Sequence, residues 1–190
     1  MTGLVIATIL AATLVTACIS GIFGMAGGVI LMGVLLSTTP VATAMVLHGL
    51  IQIVGNFSRA ALHARHVAWG LVGRYLVGVA LAIGALLLLA WRPSEVAVLI
   101  MLGLTPFLVW IPRNSLSIDV QRRGQAELCG FLVQSLNTLA GVAGPLLDLF
   151  FVRTDLPRHR VVATKAATQV LAHAVKIGFW GGPLWRQVTS

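Results

Sequence analysis

Charged residues are scarce in this sequence, and acidic residues are scarcer still. Only 9% of the 190 residues are charged, with 13 Lys and Arg against 5 Asp and Glu. A soluble globular domain has about a quarter charged residues. Cysteine occurs twice, at Cys18 and Cys129, each inside an apolar stretch. These absences exclude a soluble globular domain, a disulfide framework and a cysteine metal cluster.

Long apolar runs take the place of the missing charges. Hydrophobic residues make up 58% of the chain. Asp, Glu, Lys and Arg are absent from residues 3–38, 41–58, 75–91, 96–112 and 128–147. Because a membrane-spanning helix needs about 20 mostly apolar residues, the chain has room for about six membrane segments. We therefore predict an all-α polytopic membrane protein embedded in a lipid bilayer.

The net charge of +8 comes from basic residues that lie mostly in short loops between the apolar runs. On a soluble chain such an excess would suggest nucleic-acid binding. Here it is the bias of a membrane protein towards basic cytoplasmic loops. A nucleic-acid partner is therefore excluded.

Two apolar segments are interrupted by glycine. A straight helix over residues 3–38 would be about 54 Å long, against a hydrocarbon core of about 30 Å. Since glycine allows a helix to stop and turn, we predict two half-length helices joined at Gly24–Gly28, forming a hairpin that returns to its starting side. Residues 126–152 are similarly interrupted by Gly141, Gly144 and Pro145.

The remaining helices are predicted over residues 40–61, 70–91, 94–112 and 161–181, with a polar loop between the two halves of the chain. We divide the chain into a first membrane repeat over 1–112, a cytoplasmic loop over 113–125 and a second, shortened membrane repeat over 126–190.

The distribution of arginine supports the two hairpins. If both interrupted segments return to the side they started from, nine arginines lie on one side and two on the other. If both segments cross, the division is seven against four. The positive-inside rule favours the first arrangement and makes the nine-arginine side cytoplasmic. Those nine are Arg59, Arg65, Arg74, Arg113, Arg122, Arg123, Arg153, Arg158 and Arg160.

An offset of 117 residues superposes the two interrupted segments and the helices that follow them. In the first half, His48, Gln52, Asn56 and Arg59 form what we call the first polar stripe. In the second half, Lys165, Gln169, His173 and Lys176 have the same spacing and form the second polar stripe. This spacing places four side chains on one face of a helix. With the hairpin topology, it predicts the inverted repeat of many secondary transporters, which bind substrate near the membrane midplane.

The layout resembles the TauE/SafE family of sulfite and organosulfonate exporters. The resemblance spans about residues 15–180. It rests on Gly21–Ile30, Ala42–Ala44, His63–Trp69, Gly141–Pro145 and Ala163–Ala166. It implies a multi-pass inner-membrane protein, with a small anion such as sulfite or an organosulfonate as its substrate. Family members usually have about eight membrane segments, so we expect the last helix pair to be missing or reduced.

The substrate site is expected where the glycine breaks meet the polar stripes. Glycine leaves backbone N–H groups free at a half-helix N-terminus, where the helix dipole attracts an anion. Lysine adds a full charge, and amide and imidazole groups add hydrogen bonds. We predict substrate binding by Gly24, Gly27, Gly28, His48, Gln52, Gly141, Gly144, Lys165 and Gln169.

Several of these residues also have purely structural interpretations. His48 is equally explained as a hydrogen-bonded packing residue. Lys176 and Arg59 lie near helix ends, from which they can extend to opposite membrane interfaces. Asp148 is predicted to pair with Lys165 or Lys176, or else to carry a coupling proton. With His173, it is our candidate for ion coupling.

No nucleophile motif, metal-ligand cluster or nucleotide-binding loop is present, so neither an enzyme nor a bound cofactor is predicted. Transport would then be driven by an ion or substrate gradient. The alternative is a non-transporting scaffold or accessory subunit, in which the polar stripes would pack against a partner protein. The sequence leaves homo-oligomerisation open.

Overall fold

The computed structural model describes residues 3–23, 26–90, 93–110 and 118–189, and this part of the chain is all-helical. The α-helices are α1 (Gly3–Phe23), α2 (Ala26–Thr38), α3 (Val41–Leu62), α4 (Trp69–Leu89), α5 (Glu95–Leu104), α6 (Gln125–Ala140), α7 (Gly144–Phe151) and α8 (Arg158–Thr189). Short 3-10 helices cover Ala64–His66 and Thr105–Trp110. The predicted all-α class is confirmed.

Three helices of the described part are long and apolar enough to cross a bilayer, within Gly3–Gly21, Val41–Leu62 and Trp69–Leu89. Two shorter apolar helices cover Ala26–Thr38 and Glu95–Leu108. Large apolar side chains such as Leu4, Leu62 and Leu88 are more than three-quarters exposed, as expected where the solvent is lipid. The chain is thus a membrane protein, while the number of six segments stays a prediction.

In the first glycine-containing segment, residues 3–38, the first of the two helices differs from the prediction. Helix α1 has 21 residues, about 31 Å at 1.5 Å per residue, so the half-length expectation is wrong for this helix. Gly21 lies inside α1 and does not end it. Helix α2 is short, with 13 residues. It packs against α1 at Gly27, where a Cβ would overlap the Thr16 carbonyl oxygen and the Ser20 hydroxyl.

The second segment is interrupted where predicted. Helix α6 ends at Ala140, and Gly141 adopts a positive φ of 82°, a conformation that favours glycine. Helix α7 begins at Gly144, with Pro145 in its first turn, where no intrahelical N–H bond is lost.

The later helices follow the predicted ranges with two differences. Helix α5 gives way to a 3-10 helix at Thr105, because Pro106 cannot continue the α-helical hydrogen bonding. Helix α8 is longer than the predicted 161–181 and begins at Arg158, just after Pro157. The predicted 113–125 loop is described only from residue 118, where the Val120 N–H donates to the Phe150 carbonyl at 2.9 Å.

Two helix pairs join one predicted half of the chain to the other. Helix α3 packs along α8, and α4 packs along α6. In the second pair a Cβ at Gly78 would overlap the Glu127 backbone, and a Cβ at Gly130 would overlap the Tyr75 backbone. Arg74 forms an ion pair with Glu127 at 2.8 Å beside this contact. The halves are therefore interlocked through their helix faces.

Candidate functional site

A cavity of about 320 Å³, which we call the central cavity, lies where both interrupted segments meet α3 and α8. Its lining comes from α1, α2, α3, α6, α7 and α8. The polar and charged lining residues are Ser20, His48, Gln52, Asn56, Arg59, Asn137, Arg158, Lys165, Gln169 and His173. The lining therefore contains basic and neutral polar groups, and no carboxylate of the described residues contributes to it.

Most of the predicted site residues lie along this cavity. Those in its lining are Gly28, His48, Gln52, Gly144, Lys165, Gln169 and His173. Gly27, Gly141 and Asp148 are not part of the lining. Gly27 faces α1, Gly141 contacts Met32 and Met45, and Asp148 pairs with Lys165. Gly24 lies outside the described residues.

The first break and the first polar stripe are in direct contact. The His48 Nε2 atom lies 3.0 Å from the Gly28 carbonyl oxygen. Since a carbonyl oxygen only accepts, Nε2 carries the hydrogen in this contact. A Cβ at Gly28 would lie 2.8 Å from the Gln52 Nε2 atom. The absence of a side chain at Gly28 thus allows the Gln52 amide to rest against the backbone of α2.

The two polar stripes face each other across the cavity, because α3 and α8 run antiparallel. His48 meets Lys176 near the start of α3, and Asn56 meets Gln169 further along it. The Asn56 amide donates to the Gln52 carbonyl oxygen at 2.9 Å and approaches Gln169 Oε1 at 3.5 Å. Polar groups that would be costly against lipid are thereby turned inward.

Three cations mark one end of the cavity. Arg59 and Arg158 are exposed, and neither forms an ion pair with another described residue. Lys165 is partly buried and forms an ion pair with Asp148 of α7. We call this end the cationic mouth, defined by Arg59, Arg158 and Lys165. Of the two partners predicted for Asp148, Lys165 is the one observed.

Histidines mark the other, buried end. His48 is 1% exposed and His173 is 4% exposed, and their ring centroids are 5.5 Å apart. The Nδ1 atom of His173 is buried without a hydrogen-bond partner among the described residues. An unpaired buried nitrogen carries a desolvation cost, so this atom is available to a group that occupies the cavity.

Lys176 lies behind the buried end and is 0% exposed. Its Nζ is 2.9 Å from His48 Nδ1 and 2.8 Å from the Gly141 carbonyl oxygen. The interpretation of Lys176 as a residue that extends to the membrane interface is therefore wrong. Its partners come from α3 and from the second break, which sequence spacing alone does not reveal.

The first turns of two short helices also contribute to the cavity lining. Gly28 is the third residue of α2 and Gly144 is the first residue of α7, and both line it. The first N–H groups of a helix have no intrahelical partner and carry the positive end of its dipole. With the mouth cations, this arrangement favours a negatively charged occupant.

Three polar lining residues belong neither to the predicted site nor to the two polar stripes. Ser20 lies on α1, Asn137 on α6 and Arg158 at the start of α8. Asn137 is 2% exposed, and its amide donates to the Ala172 carbonyl oxygen at 3.1 Å. A buried amide four residues before a glycine break is a usable sequence signal. No group of three potential metal ligands is found among the described residues.

Comparison with protein families shows a match to the sulfite exporter TauE/SafE family over residues 9–189. No curated protein and no solved structure matches the chain. The family match covers nearly the whole sequence. The chain therefore belongs to the TauE/SafE family.

Proposed function

We propose that this TauE/SafE family member is a secondary transporter that exports a small oxyanion, sulfite or an organosulfonate, through the central cavity. The observation that carries the proposal is the composition of the cavity lining. It combines three cations, several amide and imidazole groups and two helix N-termini, with no carboxylate from the described residues. Its volume of about 320 Å³ is at the lower end of the range of about 300–1,000 Å³ typical of ligand sites.

Anion binding at this site would require replacement of the lost hydration. Lys165 supplies a full positive charge at the cavity wall, but Asp148 already balances part of it. An arriving anion would share the Lys165 ammonium with that carboxylate, or would displace the carboxylate from it. The amides of Gln52 and Gln169 and the free nitrogen of His173 would supply hydrogen bonds to the oxyanion. Sulfite and sulfonate groups present three acceptor oxygens, which suits several converging donors.

Asp148 and His173 are the two groups at which we propose that transport is coupled to proton binding. Proton binding by Asp148 would release Lys165 to hold the anion, since the protonated carboxyl no longer carries the balancing charge. His173 is the second candidate, because its free Nδ1 atom lies at the buried end. A proton at either residue would favour an anion in the cavity.

The α3–α8 packing supports an inverted repeat. The 117-residue offset relates His48 to Lys165 and Arg59 to Lys176. A two-fold axis in the membrane plane would therefore relate the observed His48–Lys176 contact to an Arg59–Lys165 pair. Both members of that second pair line the cationic mouth. A site on such an axis can be exposed to either side by rocking of the two halves.

The position of the cationic mouth supports the direction of transport. Arg59 and Arg158 belong to the side that carries nine arginines in the hairpin topology, which we assign to the cytoplasm. The cavity would then receive its anion from inside the cell. We propose a multi-pass location in the inner membrane on the same grounds.

The accessory-subunit alternative predicts polar stripes that face a partner protein. In the structure seven of the eight stripe residues line the cavity within this chain, and Lys176 lies directly behind it. This packing favours transport over a scaffold role.

Flux measurements in proteoliposomes test the proposal. Vesicles that contain the purified protein should release preloaded radiolabelled sulfite or ethanesulfonate faster than protein-free vesicles. An excess of either unlabelled anion should reduce the release of the other. A Lys165→Met protein of equal abundance is the matched control and should be inactive. Absence of flux for both anions, at every imposed proton gradient, would remove the proposed substrate class.

A further inference from the structure

Anion binding at the cationic mouth does not explain why the ammonium of Lys176 is buried at the other end of the cavity. It belongs to the second polar stripe but does not line the cavity. Its two partners are His48 Nδ1 and the Gly141 carbonyl oxygen. A fully buried lysine is costly in a membrane protein, and such residues usually serve function.

The hydrogen bonds through Lys176 form a continuous path between the two helix breaks. Lys176 Nζ donates to His48 Nδ1, and His48 Nε2 donates to the Gly28 carbonyl oxygen at 3.0 Å. Nζ also donates to the carbonyl oxygen of Gly141 at 2.8 Å. Lys176 is thereby linked to the backbone of both interrupted segments, directly at Gly141 and through His48 at Gly28.

This path lies between the central cavity and an apolar cluster. Past His48, towards the start of α3, Ala44 and Met45 are fully buried and pack with Met32 and Val142. Gly141 closes against the same cluster, since a Cβ there would lie 2.6 Å from the Met32 methyl carbon. The end of the cavity opposite the cationic mouth is therefore sealed by apolar side chains, with Lys176 bound at its inner surface.

We infer that Lys176 is a positioning residue that locks this sealed end, and that its release from Gly141 is the step that opens it. The inference rests on the proposed transport function. Movement of the Lys176 side chain past His48 would exchange the Gly141 carbonyl for the full negative charge of an anion at the buried end, and charge-assisted hydrogen bonds are the stronger ones. Occupation of the cavity thus favours separation of the two breaks.

Thiol accessibility tests the lock without any substrate. Cys18 is replaced by serine because it is exposed, while the buried Cys129 is kept as an internal reporter of general unfolding. Ala44→Cys places a second thiol in the sealed apolar cluster with little change in volume. A membrane-impermeant thiol reagent is then applied from the face opposite Arg59, to otherwise unchanged, Lys176→Met and Lys165→Met proteins.

We expect the reagent to modify Ala44→Cys at least tenfold faster in the Lys176→Met protein, with Cys129 unchanged in all three. Lys165→Met should leave Ala44→Cys protected, since Lys165 lies at the mouth. Equal protection in the Lys176→Met protein would overturn the inference. So would faster modification of Cys129 in parallel, or the same acceleration in Lys165→Met. Because no anion is used, a failure of the flux experiment leaves this result interpretable.

Discussion

Lys165 of α8 is paired with Asp148 of α7, so the cation at the cavity wall is held by a carboxylate from just beyond the second helix break. Their side chains are 22% and 44% exposed, respectively. The pair lies between the cavity and the protein exterior. Under the proposed function, an anion that binds Lys165 would compete with this internal carboxylate, and we expect the competition to limit the affinity of the site.

Asp148→Asn should strengthen anion binding. The amide keeps the size of the carboxyl group but removes its charge, so Lys165 becomes available to the substrate. We expect the dissociation constant for sulfite to fall about tenfold, equivalent to about 1.4 kcal/mol. Equilibrium binding to the purified protein measures this. Asp155→Asn, in the exposed turn after α7, is the matched control, and unchanged affinity in Asp148→Asn would contradict the competition.

Lys165→Met should weaken sulfite binding by at least tenfold, because the site loses the most buried of the three cations that line it. Removal of the lysine also leaves Asp148 without its partner. The double variant Lys165→Met/Asp148→Asn separates the two effects and should still bind poorly. Lys165→Arg should retain most of the affinity. Binding by the double variant at the level of the unchanged protein would assign the anion to another site.

Gly28→Ala should reduce affinity while the fold is kept. The new Cβ would lie 2.8 Å from the Gln52 amide nitrogen, and a flexible side chain can move away from it. The amide would then leave its place at the cavity wall, and we expect a several-fold weaker affinity. Gly33→Ala on the same helix is the control, because a Cβ there has no neighbour within 4 Å. Equal affinities of the two variants would exclude this role for Gly28.

Gly78→Ala should destabilise the protein, because its Cβ would overlap the Glu127 backbone of α6. Backbone atoms cannot rotate away, so α4 and α6 must separate. Overpacking of this kind costs about 1–3 kcal/mol. Thermal unfolding in detergent measures the loss. Gly84→Ala, on the same helix with open space around it, should unfold at or above the temperature of the unchanged protein.

Glycine and polar spacing predicted much of the site, because both reflect local helix geometry. The 4-residue steps from His48 to Asn56 and from Lys165 to His173 place their side chains on one helix face regardless of tertiary structure. The break at Gly141 was predictable for a similar reason, since a positive φ there excludes most other residues.

Other features depend on tertiary packing and could not be predicted from spacing. Gly21 has the same sequence context as a helix break, yet α1 continues through it. The partners of Lys176 come from residues 35 and 128 positions away. Arg158 falls on Val41 at the 117-residue offset and has no polar counterpart, although Ser20 and Asn137 are equivalent at that offset. The spacing of polar residues therefore indicates which side chains share an inward helix face, but not which of them form contacts with each other.

The α3–α8 pairing has a consequence for biosynthesis. Asn56 and Gln169 are separated by 113 residues, and synthesis proceeds at about 5–20 residues per second. Helix α3 therefore waits roughly 6–23 s in the membrane before its partner on α8 has been made. During that interval His48 lacks Lys176 and Asn56 lacks Gln169, although their partners on α2 and α3, the Gly28 and Gln52 carbonyl oxygens, are already present. The nascent chain thus needs water, lipid headgroups or the insertion machinery as a temporary partner for this face, and slower translation of the second half would lengthen the exposure.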